Sequence, residues 1–130
     1  MKVTIDRSKW SAGPYTQPSK NGWYGNALLT DRGKRCCLGF LGQACGLTDA
    51  LARDRALPRF QDTDWPKNLF ENSVRMDPYP LHWAQVFADI NDSVVVDDGL
   101  RESWIAEGFR AVLGVEVEFV GEYPNAEPTE

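Results

Sequence analysis

The chain has 130 residues, with 42% hydrophobic, 25% charged and 12% aromatic side chains, and a formal net charge of −5. These values are typical of an ordinary globular protein, and they exclude a collagen, a coiled-coil rod and a wholly disordered chain. The length favours one core, so we predict a single domain at residues 1–122 and a flexible acidic tail at 123–130.

Neither membrane insertion nor export is expected from the sequence. No apolar run approaches the roughly 18 residues of a membrane span, and the start MKVTIDRSKW lacks the apolar region of an export signal. Three cysteines, an odd number, do not suit a secreted disulfide framework and favour reduced thiols. We therefore expect a cytoplasmic protein.

Charge is distributed unevenly along the chain. Residues 1–65 contain ten Lys and Arg against six Asp and Glu, whereas residues 66–130 contain four against thirteen. Ten dispersed cations do not make the contiguous basic face that nucleic acid requires, so direct nucleic-acid binding is not expected. The second half, with a balance of −9, would instead attract a basic protein surface.

The two ends of the chain predict strands. Lys2–Asp6 and Val115–Val120 each alternate apolar and polar residues, which is typical of a half-buried strand. We expect the two strands to pair, with Lys2 answering Glu116 or Glu118 across the ladder.

Residues 11–26 are rich in Gly, Pro, Ser and Asn and predict a long loop, after which Ala27–Thr30 predicts a third strand. With this strand, the fold class is α+β. The predicted architecture is a small, mostly antiparallel sheet that packs against three to four helices.

The segment CCLGFLGQACG predicts a core helix that ends at Gly46. Its apolar stripe falls at helical spacing on Cys37, Phe40, Leu41, Ala44 and Cys45. Gly39 and Gly42 each cost roughly 1 kcal/mol relative to Ala inside a helix. We therefore expect another element to pack closely against their side.

Further helical segments follow good capping residues. In chain order they are Asp49–Arg55 after Thr48, one turn at Lys67–Glu71, Leu81–Asn91, and Leu100–Leu113 behind Asp97 or Asp98. In the last helix we expect Leu100, Trp104, Ile105, Phe109 and Val112 to face inward, and Gly114 to end it.

Thiols provide the first candidate chemistry. Cys36, Cys37 and Cys45 could join His82 in a Cys₃His zinc site, but Cys-x₂-Cys knuckles and a second histidine are missing, and buried thiols explain the spacing better. Cys36 faces away from the apolar stripe, and the basic residues before it would lower its pKa near a helix start. Cys36 as nucleophile and His82 as general base are the catalytic candidates, although a surface histidine at a helix start is the commoner arrangement.

The densest carboxylate group does not predict a metal site. Asp89, Asp92, Asp97 and Asp98 lack the ligand spacing of an EF-hand, and capping and solvation account for all four. Walker and dinucleotide fingerprints are also missing from the sequence. We predict no metal and no cofactor.

Three segments carry a resemblance. CCLGF at Cys36–Phe40, IND at Ile90–Asp92 and the C-terminal SWIAEGFRAVLGVEVEFVGEY together resemble a group of small uncharacterised proteins encoded by bacteriophages and prophages. The matched segments are Lys2–Trp10, Leu28–Phe40, Ile90–Asp92 and Glu102–Val120. The resemblance implies a phage origin, but it supplies no reaction and no catalytic residue.

We therefore expect a non-enzymatic phage accessory protein that binds a protein of the bacterial host. A more specific version is an inhibitor of host defence whose carboxylates stand in for nucleic-acid phosphates, with Glu102, Glu107, Glu116 and Glu118 as contact residues. The alternatives are a small thiol enzyme or hydrolase built on Cys36 and His82, and a homo-oligomeric structural module. The oligomeric state is left open.

Overall fold

A computed structural model describes residues 1–13, 27–30, 32–53, 55, 57–73, 81–93 and 95–124. Most of the predicted loop at 11–26 and of the predicted tail at 123–130 lies outside these residues. Within them, no helix is long and apolar enough to cross a membrane.

The sheet pairs the first strand with the last. Strand β1 spans Lys2–Asp6 and strand β2 spans Glu116–Val120, and they run parallel with Lys2 opposite Glu116. The prediction of a mostly antiparallel sheet is therefore wrong. Alternation shows which side chains share a face, but it is the same for both strand directions.

The predicted cross-strand ion pair is confirmed. The Nζ of Lys2 lies 2.6 Å from a carboxylate oxygen of Glu118, and about half of each side chain is exposed. Exposed pairs of this kind contribute little to stability. On the opposite face of the sheet, Val3 and Ile5 are fully buried in the core.

The segment Ala27–Thr30 is not a third strand of this sheet. Its carbonyl at Ala27 accepts from the amide of Cys36 at 3.1 Å, and the amide of Thr30 donates to Lys34 at 2.7 Å. A single parallel bridge joins Leu29 to Arg53. These bonds hold the segment beside the first helix, and it pairs with neither β1 nor β2.

Helix α1 spans Cys37–Ala44 and is buried over its first six residues. Burial extends around the helix, so the predicted stripe describes only part of it: Ala44 is exposed and Cys45 half-buried. The expected close approach is confirmed. A Cβ at Gly39 would lie 2.0 Å from the carbonyl oxygen of Leu28, and one at Gly42 would lie 2.8 Å from Trp65.

Short elements follow α1. Helix α2 spans only Asp49–Ala52, behind the predicted cap Thr48, because Arg53 is already extended. The predicted turn near Pro66 is present as a 3₁₀ turn at Lys67–Phe70, which buries Leu69. Two further 3₁₀ turns lie at Arg7–Lys9 and Phe60–Asp62.

Two longer helices complete the domain. Helix α3 spans Trp83–Asp92, and helix α4 spans Asp98–Gly108 and continues as a π-helical turn at Phe109–Leu113. Gly114 then adopts a left-handed φ of 67° and starts the connection to β2. The rings of Phe87 and Phe109 meet edge to face with centroids 4.8 Å apart, which joins α3 to α4.

Candidate interaction surface

The thiol of Cys36 lies in an environment opposite to the one expected. Cys36 is 2% exposed, and burial raises its pKa to about 12. Cys37 is also fully buried, and its pKa is raised well above the ordinary value, first by burial. The prediction that Lys34 and Arg35 would favour a thiolate at Cys36 is wrong, because desolvation outweighs any nearby positive charge.

His82 has a structural task of its own. Its Nδ1 accepts a hydrogen bond from the amide of Gln85 at 3.3 Å and so caps the start of α3. No hydrogen bond joins His82 to Cys36 in the described part of the chain. The two residues therefore do not form a nucleophile and base pair in this structure.

We expect Cys36 and Cys37 to react slowly with an alkylating reagent in the native protein, because both thiols are buried and protonated at neutral pH. Cys45, which is half-buried, is the internal comparison and should react first. Mass spectrometry after timed iodoacetamide treatment measures the order. Preferential labelling of Cys36 would favour the thiol-enzyme alternative.

The four aspartates considered as a metal group each accept an internal hydrogen bond. Asp89 and Asp92 accept from Gln85 and Asn91, both at 3.0 Å. Asp97 caps α4 by accepting from the amide of Leu100 at 2.7 Å, and Asp98 accepts from Arg101 at 3.0 Å. Among the described residues, no group of three or more His, Cys, Asp and Glu is placed to hold a metal ion.

Glu102 is part of an internal network and not an open carboxylate. Arg7 donates to both of its oxygens, from Nε at 2.9 Å and from Nη2 at 2.7 Å, and the hydroxyl of Tyr123 donates to one of them. The guanidinium of Arg7 also lies over the rings of Phe119 and Tyr123, at 5.7 and 5.8 Å from their centroids. Tyr123, which was predicted to begin the tail, therefore packs onto the domain.

The pKa of Glu102 is lowered, first by its hydrogen bonds from Arg7. A carboxylate with a lowered pKa stabilises the folded state above its unfolded pKa, and this contribution is lost as the pH falls through the folded pKa. We expect Glu102→Gln to lower the free energy of unfolding by about 1–2 kcal/mol at pH 7. The difference in unfolding free energy from wild type should shrink progressively as the pH falls below 4.5, the ordinary pKa of glutamate.

Urea denaturation at several pH values measures this dependence. Glu118→Gln is the matched control, because it removes a carboxylate whose ion pair with Lys2 is exposed. It should change stability much less. Equal effects of the two substitutions at every pH would contradict the role of the Arg7 network.

The other three predicted contact residues meet at one groove. A groove of about 570 Å³ between α4 and β2 is lined by Lys2, Ser103, Ala106, Glu107, Arg110, Glu116, Val117 and Glu118. Glu118 is paired with Lys2, whereas the carboxylates of Glu107 and Glu116 have no hydrogen bond or ion pair in the described residues. The lining contains three carboxylates and two cations, Lys2 and Arg110, which leaves the groove with a net negative charge.

Two large apolar side chains lie exposed beside this groove. Leu100 is 40% exposed and Trp104 is 43% exposed, so the prediction that both face the core is wrong. Helical spacing places them on the same side of α4 as Glu107, next to the residues that line the groove. We call the groove together with Leu100 and Trp104 the α4–β2 surface.

Arg101 explains why this side of α4 faces outward. It is 4% exposed, and its guanidinium donates to the carbonyls of Ser93 at 2.6 Å and Val96 at 3.2 Å. The buried row is therefore Arg101, Ile105 and Phe109. Sequence patterns assign charged residues to the surface, so they do not predict that Arg101 belongs to the buried row. The sequence therefore does not indicate that Trp104 is exposed.

Comparisons with protein-family models, with curated proteins and with solved structures found no significant match to this chain.

Proposed function

We propose that this protein is a non-enzymatic accessory protein of phage or prophage origin, and that it binds a protein of the bacterial host through the α4–β2 surface. The phage origin rests on the resemblance of the Cys36–Phe40, Ile90–Asp92 and C-terminal segments. A binding role is supported further by the raised pKa of Cys36, which disfavours the thiol alternative.

The observation that carries the proposal is the exposed Trp104, one helical turn from Glu107, on the helix that borders a groove with two unpaired carboxylates. Tryptophan is among the residues that contribute most to protein interfaces when a partner buries them. Glu107 and Glu116 remain available to an incoming charge. A surface with an apolar anchor and an acidic rim fits a partner that presents an apolar pocket bordered by Lys or Arg.

The partner we favour is a nucleic-acid-binding protein of host defence, since such proteins carry basic surfaces that carboxylates can occupy in place of phosphates. The contact set then comprises Glu107, Glu116 and Glu118. Glu102 is left out of it, because its oxygens are already bound to Arg7 and Tyr123.

Charge reversal on matched surfaces tests the proposal. The tagged wild type, the double variant Glu107→Lys/Glu116→Lys and the control Asp64→Lys/Glu71→Lys are each incubated with bacterial lysate. The control changes charge equally at two exposed acids outside the surface. We expect a protein that wild type and control capture and the first variant does not, with capture weakening as salt rises.

Trp104→Ala separates the apolar contribution from charge. It should also reduce capture, because a truncated anchor loses its buried contact with the partner. Its effect should depend little on salt. If every captured protein binds all four forms equally, the α4–β2 surface is not the binding surface and the proposal fails.

A further inference from the structure

Strand β2 has an open edge within the described residues. The sheet contains β1 and β2 in that order, so one edge of β2 faces β1 and the other faces no strand. Backbone groups of successive strand residues point to opposite edges. The amide of Glu116 donates to Met1 at 3.1 Å, so Glu116 and Glu118 point toward β1 and Val117 points away.

The open edge of β2 borders the groove. Val117 lines it together with Ser103 and Ala106 of α4. The residue two positions earlier, Val115, points the same way, but its amide already donates to Phe109 at 3.2 Å. Among the described residues, the first amide on this edge without a hydrogen-bond partner is therefore that of Val117, a residue that lines the groove.

We infer that the bound segment of the partner is an extended strand with alternating basic side chains, and that it pairs with the open edge of β2. Main-chain hydrogen bonds to an exposed edge supply affinity in this mode, and alternate side chains supply specificity. The inference rests on the proposed function, because it names the kind of segment that the α4–β2 surface accepts.

Charge selects a basic occupant over a second copy of this chain. If β2 paired with β2 of another copy, Glu116 and Glu118 would face glutamates across the new ladder, and like charges in that position are destabilising. A strand that carries Lys or Arg at alternate positions would instead meet Glu107 and Glu116. Arg110 and Lys2 also line the groove, but Lys2 is paired with Glu118.

Two synthetic peptides test strand pairing separately from charge. The first peptide alternates Lys and Val over eight residues. The second has the same sequence, but the amides that would point toward β2, which are every second amide, are N-methylated. Both have the same charge, but the second cannot donate to the open edge. We expect the unmodified peptide to bind the full-length protein at least about tenfold more tightly in fluorescence polarisation.

Amide hydrogen exchange supplies a readout at the strand itself. The amide of Val117 should become protected when the unmodified peptide binds, whereas the amide of Glu118, already paired with β1, should change little. Protection at Val117 that Glu107→Lys/Glu116→Lys abolishes would support the inference.

Equal affinity of the two peptides would overturn strand pairing and leave charge-driven binding by the α4–β2 surface intact. Failure of both peptides to bind would also overturn it. The lysate experiment decides the proposed function independently, because it uses no peptide and makes no assumption about the partner's backbone.

Discussion

Gly39→Ala should lower the free energy of unfolding by at least about 4 kcal/mol, near the upper end of single substitutions. An added Cβ would lie 2.0 Å from the carbonyl oxygen of Leu28 and 2.9 Å from the Cβ of Arg35. Both distances are far shorter than van der Waals contact. The higher helix propensity of alanine offsets only about 1 kcal/mol of this cost.

The clash cannot be relieved by a small local movement. Leu28 is fully buried, and its amide donates to the carbonyl of Arg55 at 2.6 Å. The carbonyl of the preceding residue, Ala27, accepts a hydrogen bond from the amide of Cys36 at 3.1 Å. Moving the Leu28 carbonyl away from α1 would therefore break backbone hydrogen bonds or open a cavity in the core.

Urea denaturation followed by tryptophan fluorescence measures the effect, with Gly99→Ala as the matched control. Gly99 is also helical, in α4, but an added Cβ there would meet only Asp97 Oδ1 at 3.6 Å. That substitution should leave stability unchanged or raise it by about 0.5–1 kcal/mol. Wild-type stability in Gly39→Ala would mean that α1 does not pack against residues 27–30 at this distance.

The close packing at Gly39 is predictable from the sequence, because a glycine inside an apolar helix is unfavourable unless something needs the space. Helix ends are also predictable from the sequence, because the caps at Thr48, Asp97 and Gly114 depend only on neighbouring residues in the chain. The direction in which β1 and β2 pair depends on the path of the whole chain between them. Their alternating pattern does not contain that information.

The candidate site was predictable in part. The acidity of the last strand and of α4 is visible in the sequence, and the structure brings Glu107, Glu116 and Glu118 to one groove. Glu102 looks the same in the sequence. Its partner Arg7 lies 95 positions away, so only the folded chain shows that this carboxylate is occupied.

A long-range contact also joins two segments that stand out in the sequence. Cys36–Phe40 and Ile90–Asp92 are far apart in the sequence, yet the side chain of Asn91 accepts a hydrogen bond from the amide of Cys37 at 2.9 Å. Asn91, which lies on α3, thereby caps the N-terminus of α1. The residue at the N-cap position itself, Cys36, makes no side-chain hydrogen bond to the helix. Both segments serve the scaffold that carries the α4–β2 surface.

Asn91→Ala should lower the free energy of unfolding by about 4 kcal/mol. The side chain is fully buried, and its Oδ1 accepts from the indole of Trp10 as well as from the amide of Cys37, each at 2.9 Å. Its Nδ2 donates to the carbonyl of Ser11 at 2.8 Å and to Asp92 at 3.0 Å. Truncation leaves two buried donors without their acceptor and also opens a cavity.

Asn68→Ala is the control for loss of an asparagine side chain, because Asn68 is exposed and donates a single hydrogen bond to Val112 at 2.9 Å. It should cost about 1 kcal/mol or less. Asn91→Asp keeps the shape and the acceptor, but it turns an oxygen toward the Ser11 carbonyl and the Asp92 carboxylate in place of a donor. Acceptor then faces acceptor, so this variant should also be strongly destabilised at pH 7.

The two Asn91 variants together identify which bonds matter, because Asn91→Asp retains the bonds to Trp10 and Cys37 and loses those to Ser11 and Asp92. The stability of Asn91→Asp should recover partly as the pH falls, since a protonated carboxyl regains a donor. Denaturation curves at neutral and acidic pH measure the recovery. If Asn91→Ala unfolds like Asn68→Ala, the Asn91 amide does not join α1, α3 and the segment after β1 in the way that these hydrogen bonds indicate.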